Sequence, residues 1–361
     1  MRNLPKRHWE DSRHFRHNRE QIHSLLDCFR KPSAWPGGAE ATYRPLSGNL
    51  YYLAGRTLFG NRLEAYHVVG AVVYVLNGIL LLLLSRRLLP EWWSLVPPVL
   101  FVSRRAHIQV VIYTSEFDAL SYVTFGLLGL HLFLAARASE RRRGEALAAG
   151  TFSLALLCKE AAVVWPFVAA AGGWLFDRAS AWRRYVAGFV AVVAWAVAYP
   201  RIIRALYTES APGFALDLSP AGLITRYGAY LLSFLNALVP SVDPEQAGWA
   251  MPPRVVELAG TPIMLVLTTA LLVLTAASMV WARVRPASVS SAARAALFGL
   301  AWFFAATAPF VVLADRLFMR YSYAGHAGLA IAAGGAAAAL AQGGRATRAG
   351  VESVRATLPS S

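Results

Sequence analysis

Long apolar runs are the feature that most limits what this chain can fold into. The clear ones lie at 65–85, 117–138, 185–206, 258–281, 295–314 and 323–341. A helix needs about 20 apolar residues to cross a bilayer, and these runs are of that length. Charged residues make up only 15% of the chain, against roughly 25% in a soluble domain. The sequence therefore predicts an integral membrane protein.

Two further segments are less regular. Segment 91–103 is short and contains Pro97-Pro98, so we expect an irregular span there. Segment 146–176 is too long for one helix and holds Lys159-Glu160 near its middle. Counting these segments with the clear runs predicts an all-α, polytopic transmembrane helical bundle of about nine membrane segments, some of them short or re-entrant.

Arginine-rich loops predict how the bundle is oriented. They comprise Arg86-Arg87, Arg141-Arg142-Arg143, Arg178 with Arg183-Arg184, Arg283-Arg285 and the tail after Gly343. Cytoplasmic loops carry an excess of Arg and Lys, so we place all of these in the cytoplasm. Segment 146–176 must then enter and return, with a turn near Lys159. Segment 223–240 is interpreted as an interfacial or re-entrant helix, because a full crossing would put the basic loop at 283–294 outside.

This orientation divides the chain into three regions. Residues 1–64 form an outer-face loop with interfacial helices and an acidic motif. Residues 65–341 form the transmembrane bundle, in which 207–257 is an outer-face segment. Residues 342–361 form a short basic cytoplasmic tail.

Composition and the motifs that the sequence lacks argue against several classes of function. The net charge is +15, but the arginines lie in loops between apolar runs, which does not favour a nucleic-acid partner. Cys28 and Cys158 are far apart and indicate neither a disulfide framework nor a metal site. The sequence has no phosphate-binding loop, dinucleotide fingerprint, zinc spacing or nucleophile elbow.

Two pairs of charged residues are candidates for chemistry. Glu10 and Asp11 are adjacent carboxylates in a polar segment, which is either a frayed terminus or the source of a general base. Lys159 and Glu160 are ionisable groups inside an apolar segment. Such groups are rare and are usually functional or paired. The alternative is that these two neutralise each other at the mouth of a hairpin.

Two further groups are expected on the same outer face. His107, Glu116 and Asp118 follow the irregular span 91–103. Arg316, Arg320 and Tyr321 lie between the last two apolar runs. Arginine on the outer face suggests a phosphate partner, because its donors form a fork that fits one. Interfacial anchoring is the alternative for this group.

The order of several short motifs resembles a known family, the glycosyltransferase-C superfamily. The nearest group is the bacterial protein-O-mannosyltransferase-like proteins that carry tetratricopeptide repeats. The similar segments span roughly residues 8–335. They are Tyr43-Arg44-Pro45-Leu46, Phe59-Gly60, Tyr66-His67 with Asn77, Ala106-His107-Ile108-Gln109, Ser115-Glu116-Phe117-Asp118-Ala119-Leu120, Leu157-Cys158-Lys159-Glu160-Ala161, Pro309 through Arg316, and Arg320-Tyr321-Ser322-Tyr323.

The resemblance implies an inverting hexosyltransferase that uses a polyprenyl-phosphate sugar as donor. The acceptor would be a protein, glycan or lipid hydroxyl on the outer face of the cytoplasmic membrane. Asp11, with Glu10 beside it, would be the base. No cofactor is predicted, and the sequence leaves open whether a divalent metal takes part. The residues expected to contact substrate are Arg44, His107, Glu116, Asp118, Lys159, Glu160, Arg316, Arg320 and Tyr321.

The family begins with a transmembrane helix ahead of the acidic loop and carries a repeat domain after the last span. We therefore expect the complete reading frame to begin upstream of Met1. The alternatives are a flippase or transporter for lipid-linked glycans, or a truncated, inactive relative. An enzyme should gather its charges around one outward cavity, whereas a transporter should line a path through the bilayer midplane with polar groups.

Overall fold

The structure is a computed structural model that describes residues 18–33, 42–139, 142–176, 186–206, 216–235, 251–285, 288–314 and 317–357. These residues fold into helices and connecting turns, and no strand is present among them. One isolated antiparallel bridge joins Leu216 to Leu313. The predicted all-α class is confirmed for this part of the chain.

The first part of the chain forms short helices and then the first long ones. In chain order they are α1 (Leu25–Arg30), α2 (Tyr51–Phe59), α3 (Leu63–Leu88), α4 (Val96–Val102), α5 (Ile108–Ile112), α6 (Phe117–Ser139), α7 (Arg142–Cys158) and α8 (Trp165–Phe176). A π-helical turn at Pro45–Leu50 precedes α2. Short 3-10 turns occupy Glu91–Leu95, Arg105–His107, Thr114–Glu116 and Glu160–Val164.

The second part contains α9 (Val186–Leu206), α10 (Pro220–Ser233), α11 (Pro253–Ala259), α12 (Pro262–Val284), α13 (Ser291–Val311) and α14 (Tyr323–Thr357). A 3-10 turn at Met319–Ser322 leads into α14. Hydroxyl caps begin several of these helices, because a side-chain oxygen satisfies an amide that has no partner within the helix. Ser219 caps α10, Thr261 caps α12 and Ser290 caps α13.

Five helical segments are long and apolar enough to cross a membrane. They are Leu63–Leu88, Thr114–Ala136, Pro262–Val284, Ser291–Val311 and Met319–Gly344. A sixth would be the broken span Trp92–Val102 plus Arg105–Ile112, which bends by 53°. The chain is thus a helical membrane protein.

The irregularity predicted for segment 91–103 is present, but its cause differs from the one expected. Pro97 and Pro98 lie in the first turn of α4, where proline is tolerated because its missing amide would have no helical partner. The bend comes later, between Val102 and Arg105.

The predicted turn within 146–176 is present. α7 ends at Cys158, Lys159 has an extended backbone, and a 3-10 turn leads into α8. Before the turn, α7 packs against α6, with Phe152 close to Gly129. On the way back, α8 packs against α13, where the rings of Trp165 and Trp302 lie 5.4 Å apart.

Two helices differ in length from the predicted segments. α14 continues to Thr357, so residues 342–357 of the predicted tail are helical. α10 has only 14 residues, about 21 Å at 1.5 Å per residue, which fits a short helix rather than a full crossing.

The described helix ends that flank the basic loops meet at one end of the bundle. Arg87 Nη1 donates to the carbonyl of His131 at 3.1 Å, and Trp174 Nε1 donates to that of Met279 at 3.3 Å. Leu89 approaches Gly334 of α14. These contacts bring together the ends that carry Arg86, Arg87, Arg143, Arg283 and Arg285, which we call the basic end. The opposite end begins α6 and α14 and contains the turn at Lys159.

Candidate functional site

The backbone around Arg44 is fixed by polar contacts. The Arg44 amide donates to Ser33 Oγ at 2.9 Å. The next turn is π-helical, and its Ser47 hydroxyl donates to the carbonyl of Cys158 at 2.5 Å. Asn49 Nδ2 donates to the carbonyls of Cys28 and Lys31. These bonds attach Arg44 to the end of α7, one residue before Lys159.

Arg44 bridges two carboxylates from different helices. Its Nε and Nη2 donate to the two carboxylate oxygens of Glu160 at 3.0 and 2.6 Å, and its Nη1 donates to Asp118. Burial would lower the pKa of the guanidinium, but Glu160 and then Asp118 hold that pKa well above its usual value. The two bonds to Glu160 use the fork geometry that suits a carboxylate.

Three more charged residues, Lys159, Glu116 and Arg320, extend this arrangement into a chain of ion pairs. Lys159 Nζ lies 3.2 Å from Asp118 Oδ1 and 3.9 Å from Glu116 Oε2. Arg320 Nη1 lies 3.0 Å from Glu116 Oε1. We call these six residues the charged network: Arg44, Glu116, Asp118, Lys159, Glu160 and Arg320.

The network holds three cations and three carboxylates, and most of it is buried. Glu116, Asp118 and Lys159 are almost fully enclosed. The Glu160 side chain is 38% exposed, which makes it the most open member of the network. Burying charges is costly unless they are paired, and here each of them is.

Aromatic rings border the Arg320 side of the network. The Arg320 guanidinium lies 4.5 Å from the Phe318 ring centroid and 5.4 Å from that of Tyr321. Lys159 Nζ lies 5.8 Å from the same Tyr321 ring, which stacks on Phe310. Cations over aromatic faces are attracted to the ring quadrupole. Tyr321 thus lies close to both cations.

The structure brings together most of the predicted substrate contacts. Arg44, Glu116, Asp118, Lys159, Glu160, Arg320 and Tyr321 are in or beside the network. Lys159 and Glu160 do not neutralise each other, because their ion pairs are made with residues on other elements. Glu10, Asp11 and Arg316 lie outside the described residues.

His107 is buried elsewhere in the bundle. Its Nε2 lies 3.0 Å from His326 Nδ1, and its Nδ1 lies 3.2 Å from the Tyr74 hydroxyl. His326 in turn contacts Ser233. The sequence analysis missed Tyr74, Ser233 and His326. The signal for His326 was present, because it is an ionisable residue inside an apolar run.

The network places several cationic hydrogen-bond donors beside the partly exposed carboxylate of Glu160. Arg320 and Lys159 could stabilise an anionic leaving group, since preformed donors act strongly where water is excluded. Glu160 could contact a polar substrate. Among the described residues, no three His, Cys, Asp or Glu side chains form a group that could hold a metal ion.

Comparison with known proteins adds no relative: no family model, no curated protein and no solved structure matches this chain.

Proposed function

We propose that this protein is a membrane glycosyltransferase that moves a sugar from a polyprenyl-phosphate carrier to an acceptor hydroxyl. The observation that carries the proposal is the charged network. It gathers Arg44, Lys159 and Arg320 with three carboxylates at the end of a membrane bundle opposite the basic end. A lipid-linked donor suits this position, because its chain stays in the bilayer while its phosphate reaches the bundle end.

The proposed reaction needs one bond formed and one broken. The acceptor oxygen attacks the sugar carbon bonded to phosphate, and that carbon–oxygen bond breaks with its electron pair going to the phosphate. Arg320, with Lys159 behind it, stabilises the departing phosphate. The acceptor proton goes to a carboxylate, which the family resemblance assigns to Asp11 with Glu10 beside it.

The location follows from the same proposal. By the positive-inside rule the basic end is cytoplasmic, so the charged network faces the outer side of the cytoplasmic membrane. The acceptor is then a protein, glycan or lipid exposed there. Glu160 and Arg44, at the other side of the network from Arg320, contact the sugar or the acceptor.

A transfer assay tests the proposal. The purified protein in proteoliposomes is given a panel of radiolabelled polyprenyl-phosphate sugars, and label on the acceptor is counted. Arg320→Ala should raise KM for the carrier at least about tenfold, because a charge-assisted hydrogen bond of about 1.5–3 kcal/mol is lost. Arg87→Ala is the matched control, since Arg87 bonds a carbonyl at the basic end. Transfer by Arg320→Ala at the wild-type rate and KM would contradict the assignment.

A transporter of lipid-linked glycans is the second candidate. It is favoured by the buried chain of Tyr74, His107, His326 and Ser233, which places polar groups deep in the bundle. Such groups mark substrate or proton paths in membrane proteins. A transporter would move the donor across the bilayer without breaking the bond between sugar and phosphate.

A further inference from the structure

A chain of four buried or partly buried side chains connects helices near the end of the bundle where α14 begins. Tyr74 belongs to α3, His107 to the turn between α4 and α5, His326 to the first turn of α14, and Ser233 is the last residue of α10. The successive contacts measure 3.2, 3.0 and 3.1 Å. His107, His326 and Ser233 are almost completely buried.

The contacts of Ser233 indicate the direction of the hydrogen bonds nearest to it. The Ser233 hydroxyl donates to the carbonyl of Tyr230 at 2.7 Å, so it accepts from His326 Nε2. A neutral imidazole has one donor and one acceptor, so His326 Nδ1 accepts from His107 Nε2. At the other end, His107 Nδ1 lies 3.2 Å from the Tyr74 hydroxyl, which also lies 3.0 Å from the carbonyl of Val102 and can donate its one proton to it.

This chain fixes the start of α14. His326 is the fourth residue of that helix, and the 3-10 turn directly before it carries Arg320 and Tyr321. The Tyr323 ring also packs 4.8 Å from the His107 ring. A slide of α14 by one residue would be about 1.5 Å. That shift would take Arg320 out of hydrogen-bond range of Glu116, which is now 3.0 Å away.

We propose that His107 and His326 are positioning residues, which hold the first turn of α14 at the depth and rotation that place Arg320 in the charged network. The hydrogen bonds of the two histidines reach Tyr74 and Ser233, and their effect on the network passes through the backbone of α14. The consequence for sugar transfer rests on the function proposed above, whereas the effect on α14 does not.

Hydrogen exchange tests the positioning directly. Amide exchange of residues 319–326 is measured by mass spectrometry on the protein in nanodiscs. We expect exchange at least about tenfold faster in His107→Leu and in His326→Leu, because the α14 turn loses its link to the broken span. His326→Asn keeps an amide near the position of Nδ1 and should restore part of the protection.

The matched control is His131→Leu. His131 is also buried, and its Nε2 bonds the carbonyl of Leu80 at 2.8 Å, but it lies on α6 away from α14. Its loss should leave residues 319–326 protected as in the wild type. Wild-type protection in both single Leu variants would overturn the proposal. So would equal acceleration in His131→Leu, because the effect would then be general loosening.

A kinetic readout separates this proposal from the proposed function. In the transfer assay, His326→Leu should raise KM for the carrier at least about fivefold, with kcat reduced less than about twofold, because misplacing Arg320 weakens phosphate binding. An unchanged KM alongside accelerated exchange would overturn the link to the site. If the wild-type protein transfers no sugar at all, the proposed function fails, and the exchange measurement still decides the positioning of α14.

Discussion

At the scale of single residues, Asp118 is the member that holds the charged network together. It accepts from Arg44 on one side and lies 3.2 Å from Lys159 on the other. It also stands in the first turn of α6, where the helix dipole favours a negative charge. Loss of its charge would leave two cations short of a partner in a buried position.

We predict that Asp118→Asn lowers the free energy of unfolding by about 3–5 kcal/mol, the usual effect of breaking a buried ion pair. Glu160→Gln should cost only about 1 kcal/mol, because the Glu160 side chain is 38% exposed and solvent screens its pair. Thermal unfolding in detergent measures both, with the exposed Glu64→Gln as control. Equal losses of unfolding free energy in the Asp118 and Glu160 variants would contradict this prediction.

Sequence reasoning could identify these residues but not their partners. Lys159 and Glu160 were found because charges inside an apolar segment are rare. Their partners could not be predicted from the sequence, because Arg44 lies 116 positions from Glu160 and 74 positions from Asp118. Such pairings depend on how helices pack. His326 could have been found by the same rule that identified Lys159.

At the scale of helices, small residues bring α13 and α14 into close contact. A Cβ on Gly299 would lie 2.4 Å from the backbone of Gly328 and of Ala332. A Cβ on Gly335 would meet Ala296 at 2.5 Å. Small residues are enriched where membrane helices pack, because they allow the backbones to approach. This contact holds α14, and hence Arg320, against the bundle.

We predict that Gly299→Ala is destabilising by about 1–3 kcal/mol, because the added methyl group overpacks the α13–α14 contact. Gly150→Ala, on an open face of α7 with nothing within 4 Å of the added atom, should instead stabilise by up to about 1 kcal/mol through helix propensity. Apparent melting temperatures in one detergent measure the pair. Shifts of the same sign would argue against close packing at Gly299.

Apolar runs and loop charge predicted where the helices lie better than where each helix ends. The turn at Lys159 was expected from basic residues on both flanks of 146–176. The end of α14 was not, because residues after 341 lose the apolar character by which spans are recognised. The helix itself continues to Thr357, whereas the part of it that is apolar enough to cross a membrane ends at Gly344.

At the scale of the whole molecule, the charges separate along the bundle. The described arginines of the basic loops gather at one end, and the charged network lies at the other. The sequence predicted this separation from the positive-inside rule alone. What the network does depends on its substrate, and we propose that a bond between sugar and phosphate is broken there.

A doubly labelled donor tests that claim most directly. A polyprenyl-phosphate sugar carrying tritium in the sugar and ³²P in the phosphate is given to proteoliposomes with a mixture of hydroxyl-bearing peptides and oligosaccharides. The account predicts that tritium moves to the acceptor fraction while ³²P stays with the lipid. Movement of both labels together to the opposite leaflet, with the donor intact, would contradict it and identify a transporter.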